Sequence, residues 1–294
     1  MDKSREQEAP AVSIILPVFN ERETIEATLR DIRAAIGDAF RFEIIVVDDG
    51  STDGLDLPPL VGLLEQFHVH LQNMGYGAAI KTGLRHSKGE VIVISDADGT
   101  YPASAIPKLV EVLEDCEMVV GARTGDSVHV PLLRQPAKWV LGAIANYLAE
   151  QRIPDLNSGL RAFRKDDVLP YFHLLPRGFS LTTTITLAFL CDDLRIKYIP
   201  IDYHKRKGRS KIRPIRDTKN IFLTILRTVL YFNPLKICLP VGFLFFFLAM
   251  GVLIYSGLYL QQIMDGTISV LSLSGVQIIA IGMLADLIAR SHGK

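Results

Sequence analysis

Cysteine is scarce. Cys116, Cys191 and Cys238 stand alone among 294 residues, with no CxxC pair, so neither a disulfide framework nor a thiolate zinc site is indicated. A charge excess is also missing: 32 basic residues balance 32 acidic ones, so a globally basic nucleic-acid binder is not expected. Met1 to Pro10 is charged and has no apolar run, which predicts no secretory signal peptide. No stretch reads GxxxxGK[ST], which excludes a P-loop. Gly75-Tyr76-Gly77 begins a GxGxxG dinucleotide fingerprint, but Ile80 takes the place of the third glycine. No repeat or low-complexity tract is visible. The 49% hydrophobic content excludes disordered and collagen-like classes.

Charge is missing in one further place. Between Lys236 and Asp265 there is none, and about 20 apolar residues suffice to cross a bilayer core. Residues 235–260 and 268–289 therefore predict a transmembrane hairpin, the alternative being two buried helices of a large soluble core. The connection Gln261–Thr267 has no Lys or Arg, whereas the segment before the first run carries Lys205, Arg206, Lys207, Arg209, Lys211, Arg213 and Arg216, and Arg290 and Lys294 follow the second. The positive-inside rule then predicts a multi-pass protein of the cell (inner) membrane, with both ends and the N-terminal domain in the cytoplasm. Asp286 and Arg290, four apart, are expected to pair. Residues 216–234 carry Phe222, Ile225, Leu226, Val229 and Leu230 at helical spacing. This is an amphipathic helix, either lying in the interface or packed on the soluble domain.

After a polar tail, residues 1–11, the segment 12–215 alternates apolar strands with amphipathic helices. Strands are expected at Val12–Phe19, Phe42–Asp49, Val69–Gln72, Glu90–Asp98 and Met118–Ala122. Helices are expected at Glu21–Ile36, Leu55–Phe67, Tyr76–Ser87 and Ala103–Glu114. Runs such as EIIVV and VIVI read as strands buried on both faces, so the class is α/β with a mostly parallel sheet. Ligands bind such sheets beyond the carboxyl ends of the strands. Here those ends are Asn20-Glu21, Asp48-Asp49-Gly50-Ser51, Asn73 and Asp96-Ala97-Asp98. Two acids at i and i+2 of a strand end point to one side and suit Mg²⁺ or Mn²⁺ with phosphate oxygens. The alternative is loop chemistry, since Asp98-Gly99 is a common turn pair.

The ordered pieces SIILPVFNE, VVDDGSTDG, NMGYGAAIKTG, DADGTYP, GART, DLNSGLRAFRK and RKGRSK resemble family-2 glycosyltransferases of GT-A fold. Within them the chain is similar to the dolichol-phosphate mannose synthase and polyprenyl-phosphate glycosyltransferase branch. The resemblance covers about residues 12 to 215, and the hairpin also fits it. It implies that Pro17, Phe19, Glu21, Val47 and Asp49 hold the base and ribose of a nucleoside diphosphate sugar. Gly75, Gly77 and Lys81 would line the donor pocket, and Ala97 and Arg123 would lie on the donor side. Asp96 and Asp98 would address a Mg²⁺ or Mn²⁺ ion and the diphosphate, with Asp155 facing the sugar or the acceptor. Arg206, Arg209, Ser210 and Lys211 would bind the phosphate of a polyprenyl lipid, although membrane topology alone also accounts for basic residues there. A homo-oligomer is left open.

Three departures stand out. Thr100 replaces a Gln common in mannose-using members. Thr182, Thr183 and Thr184 occupy a helix that often carries an acid. Phe19 replaces a Tyr. Gln135-Pro136-Ala137-Lys138-Trp139 imitates the QxxRW of polysaccharide synthases but precedes Asp155. Trp139–Leu148 reads instead as an apolar helix, either in the core or near an acceptor entrance. Other acceptors, a membrane glycolipid or a growing polysaccharide, remain alternatives, as does a non-catalytic nucleotide-binding scaffold.

Overall fold

A computed structural model describes residues 10–124, 142–147, 150–203, 214–260 and 262–292. The chain divides into two compact units, Met1–Thr224 and Ile225–Lys294.

The first unit is built on a seven-stranded sheet in the order β3-β2-β1-β4-β6-β5-β7. Its strands are β1 (Val12–Val18), β2 (Phe42–Asp48), β3 (Gln66–Val69), β4 (Val91–Ile94), β5 (Met118–Ala122), β6 (Arg161–Arg164) and β7 (Ile196–Pro200). All pairings are parallel except those of β6, which runs antiparallel to β4 and β5. Ile14, Ile15 and Leu16 of β1 and Ile44 to Val47 of β2 are fully buried. These are the continuous apolar runs that a sheet covered on both faces requires. Helix α1 (Arg22–Ile36) buries Ile25, Leu29, Ile32 and Ile36, one stripe at helical spacing. Helices α2 (Tyr76–His86) and α3 (Ala105–Val112) follow β3 and β4. The chain steps outward from β1 to β2 and β3, then returns to β4 on the other side of β1. That reversal opens a crevice beyond the carboxyl ends of β1 and β4.

Four expectations need correction. The helix over Leu55–Phe67 does not form; only a 3-10 turn, Pro58–Leu60, stands there. Pro58 and Pro59 remove two donors from any helix, and Gly62 turns at φ +84°. The strand expected at Val69–Gln72 begins earlier, as β3, in the residues so released. The strand expected to reach Asp98 stops at Ile94, so Asp96 and Asp98 lie on a loop and not on a strand end. Strands β6 and β7 had no counterpart among the expected strands; Arg161 and Arg164 mask β6 in the sequence.

The second unit holds Leu235–Tyr255, continued by a π-helical turn Ser256–Leu260, and the helix Asp265–His292. Both helices are long and apolar enough to cross a membrane, and only 11% of each apolar window is buried within the structure. They meet at glycines: a Cβ on Gly242 would lie 2.5 Å from Ile279, and one on Gly275 would lie 2.9 Å from the Gly242 carbonyl. Small residues let such helices approach backbone to backbone. Asp286 is buried, and the side chain of Arg290 lies outside the described residues. The amphipathic stretch is helical over Pro214–Phe232.

Candidate active site at the carboxyl ends of the strands

The loops after β1 and β2 are stapled to each other. Asn20, at φ +54°, accepts from the Thr52 N–H at 2.7 Å, and its own N–H donates to Ser51 Oγ at 2.8 Å. The Arg22 N–H donates to Asp53 at 2.9 Å, and the Ser51 N–H to Asp48 at 2.9 Å. Gly50, at φ +73°, presses on the next loop: a Cβ there would lie 2.6 Å from the carbonyl carbon of Gln72. Pro17 and Val47 are neighbours in the sheet. Val47 is fully buried with Ile45 and Ala79, so its contribution to a ligand is confined to its main chain. Phe19 and Glu21 are half-buried at the rim.

Asp49 organises the entry to α2. Its Oδ1 accepts from the Met74 N–H at 2.9 Å and its Oδ2 from the Gly75 N–H at 2.7 Å. Gly75 and Gly77 are explained by a close approach of two backbones. A Cβ on either would lie 2.5 Å from the Arg177 carbonyl oxygen or 2.2 Å from that of Pro176. The Ala78 N–H donates to that Arg177 carbonyl at 3.0 Å. Lys81 braces the same segment. Its ammonium donates to the Leu175 carbonyl at 3.0 Å and lies 4.6 Å from the Phe172 ring centre. Burial, aided by Arg85 and Arg177, lowers its pKa.

The Asp96-Ala97-Asp98 loop is held from α1. Thr24 and Thr28 both donate to the Ala97 carbonyl, at 2.9 and 3.3 Å. Ala97 itself is buried. Asp98 makes the turn that its sequence also suggested: its Oδ1 accepts from the Thr100 N–H and hydroxyl at 3.1 and 2.6 Å. Asp96 is cradled by Gly159, where a Cβ would lie 2.8 Å from Oδ1 and 2.9 Å from Oδ2. The phenols of Tyr76 and Tyr101 are pushed above the usual range by burial first and by Asp96 next.

Two carboxylates on one fixed loop are a fitting donor set for a hard divalent cation. Among the described residues no three His, Cys, Asp or Glu side chains converge, so the remaining ligands would be water and substrate oxygens. The cradle is testable. Gly159→Ala should displace Asp96 and weaken Mn²⁺ binding roughly ten-fold, measured by titration of the full chain with its circular dichroism unchanged. Unaltered Mn²⁺ affinity would disconnect Gly159 from the metal.

Arg123 and Asp155 find each other. Nε and Nη2 of Arg123 donate to Oδ2 and Oδ1 at 2.7 and 2.9 Å, and the Arg123 N–H donates to Oδ2 at 3.1 Å. The guanidinium also lies 5.3 Å from the Tyr203 ring centre. Burial works to raise the Asp155 pKa, but the bonds from Arg123 outweigh it and hold the carboxyl below its usual range.

The turn after Asp155 is pinned on every side. The Ser158 hydroxyl donates to the Gly121 carbonyl at 2.5 Å, and the Gly159 N–H donates to Tyr101 Oη at 2.7 Å. Beneath it lies Arg161, fully buried, a residue to which sequence reading gave no role. It donates to the Ser158 carbonyl at 3.2 and 2.5 Å, the Thr182 carbonyl at 3.0 Å and the Thr186 hydroxyl at 3.1 Å. Its signal was an arginine inside an apolar run, LRAF, facing a helix (Leu181–Cys191) whose threonines are all buried. Among the described residues, carbonyls and a hydroxyl accept the hydrogen bonds of Arg161 to oxygen.

The predicted phosphate ligands Arg206, Arg209, Ser210 and Lys211 lie outside the described residues, as does Gln135–Trp139. Of the apolar helix Trp139–Leu148, residues 142–147 are described and are helical.

Comparison with known proteins bears on this arrangement. The profile of glycosyl transferase family 2 matches residues 13–172, and that of the GtrB C-terminal hairpin matches residues 233–291. The glycosyltransferase AglJ of Haloferax volcanii is 30% identical, over 96% of this chain and 95% of its own. An undecaprenyl-phosphate 4-deoxy-4-formamido-L-arabinose transferase of Pseudomonas savastanoi is 29% identical, over 96% and 86%. A glucosyl-3-phosphoglycerate synthase of Mycobacterium tuberculosis, solved with Mn²⁺, UDP-glucose and phosphoglyceric acid, superposes with a TM-score of 0.56 at 20% identity. It covers 75% of this chain and 80% of its own. That likeness establishes the GT-A fold.

Proposed function

Because the chain belongs to glycosyl transferase family 2, we propose that it moves a sugar from a nucleoside diphosphate sugar to a polyprenyl phosphate at the cytoplasmic face of the cell membrane. The observation that carries this reading is the Asp96–Asp98 loop, fixed by α1 and by Gly159 at the sheet's switch point. The transferase similar along most of its length, whose name specifies undecaprenyl phosphate, supports the acceptor class.

Chemistry supports it as well. An alcohol acceptor needs a general base. A phosphate monoester has a second pKa of about 6 and is already anionic at neutral pH. Asp155, tied up by Arg123, is a poor base, so its part is to orient Arg123 on the donor side. In the step, an oxygen of the lipid phosphate forms a bond to the anomeric carbon as the bond from that carbon to the diphosphate breaks. The configuration inverts and the nucleoside diphosphate leaves. Held by Asp96 and Asp98, a Mg²⁺ or Mn²⁺ ion would neutralise charge on the departing diphosphate. Phe19, Glu21, Asp49 and the main chain at Pro17 and Val47 would hold the nucleoside. Arg206, Arg209, Ser210 and Lys211 would hold the lipid phosphate next to the membrane.

The test uses membranes containing the protein, incubated with labelled UDP- and GDP-sugars and polyprenyl phosphate. An acid-labile, lipid-linked sugar is expected. Neutralising Arg206, Arg209 and Lys211 together should lower kcat/KM for the lipid by about ten- to a hundred-fold per lost phosphate contact, with donor affinity little changed. Neutralising Lys205 and Lys207 should do far less. Equal small losses at all five positions, reversed by anionic lipid, would reduce the cluster to a membrane tether. An acid-stable glycolipid product would move the reaction to a hydroxyl acceptor.

A further inference from the structure

Asp49 has a third partner that no motif assigned. Its Oδ1 faces Nδ1 of His70 at 2.7 Å, and the other ring nitrogen, Nε2, faces the Thr82 hydroxyl at 2.9 Å. The carboxylate and the imidazole are only 4% and 10% exposed, so water competes poorly for these bonds. Both Asp49 oxygens already accept main-chain N–H groups. A carboxylate can only accept, so the ring donates to Asp49 from Nδ1, while Nε2 stays within hydrogen-bond distance of the Thr82 hydroxyl. The His70 main chain is fixed too, its N–H donating to the Asp48 carbonyl at 2.8 Å. One ring thus braces the end of β2, the end of β3 and helix α2.

We infer that His70 is a positioning residue for the nucleotide half of the site. Two main-chain N–H groups alone leave a carboxylate free to tilt; a third bond from Nδ1 locks its plane. Among the described residues Oδ2 takes one bond, from Gly75, and a carboxylate oxygen accepts two. The locked Oδ2 presents its second lone pair to an N–H of the base or a hydroxyl of the ribose. This rests on the reading that Asp49 holds the donor nucleoside.

The full chain in detergent is titrated calorimetrically with UDP and with GDP, each with Mn²⁺. His70→Ala should weaken the nucleotide that the native protein binds by about ten-fold, the scale of one charge-assisted bond. Donor KM should rise by the same factor, with kcat within about two-fold, the signature of lost uniform binding. His70→Asn sets an amide N–H where Nδ1 stood and should restore most of the affinity. His70→Gln sets its amide where Nε2 stood and should not. Thr82→Val, which keeps the Nδ1 bond, should cost less than His70→Ala. Native-like affinity in His70→Ala, or equal behaviour of the Asn and Gln variants, overturns the inference even if the melting temperature falls. If the native protein binds neither nucleotide, the nucleotide reading of the site fails first.

Discussion

Asp98→Asn is expected to lower sugar transfer by on the order of a hundred- to a thousand-fold, the scale of losing charge stabilisation at a leaving group. Folding should not suffer. The substitution keeps an oxygen to accept from the Thr100 N–H and hydroxyl, so the turn survives while one negative charge is lost. Asp96→Asn should be comparably severe, because it removes the other negative charge of the same loop while keeping the side-chain shape that Gly159 accommodates. The measurement is turnover with labelled donor, alongside Mn²⁺ titration and thermal melting. EDTA should abolish native turnover, and Mg²⁺ or Mn²⁺ should restore it. Full activity in EDTA, or native turnover in Asp98→Asn, would end the metal assignment.

The second large effect concerns Asp155. Asp155→Ala leaves the Arg123 guanidinium part-buried without its bidentate partner. Stranding one member of such a pair costs about 3–5 kcal/mol. For a unit of this size that lowers the melting temperature by roughly 10 °C. Activity should fall with it, since Arg123 loses its orientation. Arg123→Met combined with Asp155→Ala should melt higher than Asp155→Ala alone, because no charge is left unpaired. The pH dependence has a definite sign. The folded-state pKa of Asp155 is lowered, so its stabilisation is fully present above the unfolded value of about 3.9. It is lost as pH falls through the lower folded value. The melting gap between native protein and Asp155→Asn should therefore be constant from neutral pH to about 4 and close below it. A gap that closes near neutrality would contradict the ion pair.

Particular residues show what the sequence discloses. The runs of β1 and β2 and the stripe of α1 were legible because burial on two faces, or on one, prints a period directly into residue choice. The acids beyond β1, β2 and β4 could be grouped because a parallel sheet collects those ends at one edge, although Asp96 and Asp98 stand on the loop after β4 and not on the strand. The segment 55–67 was misread because its leucines mimic a helical face while Pro58, Pro59 and Gly62 forbid the helix. Strand β6 was hidden because Arg161 sits in the core on main-chain carbonyls, a solution that leaves no complementary acid in the sequence. The motif glycines were legible as special positions, but their cause was not. Gly75, Gly77 and Gly159 answer to contacts with residues some 60 to 100 positions away, and no local pattern shows that. His70 and Thr82 escaped because their bonds, reaching 21 and 12 positions, join the ends of β2 and β3 to α2.

The antiparallel strand has one more consequence, for the order in which the molecule is made. β4 and β5 do not pair with each other; only β6 joins them. Until residue 161 has been synthesised, β1, β2 and β3 have their neighbours, β4 has only β1, and β5 has none. Asp96 stands without the wall that Gly159 provides. Domains tend to fold from the N-terminus during synthesis, so this catalytic unit closes late, shortly before the hairpin emerges. A truncated or nascent chain is left with an incomplete Asp96–Asp98 loop. The sheet that positions the site is thus complete only as the chain nears the length that also carries its apolar hairpin.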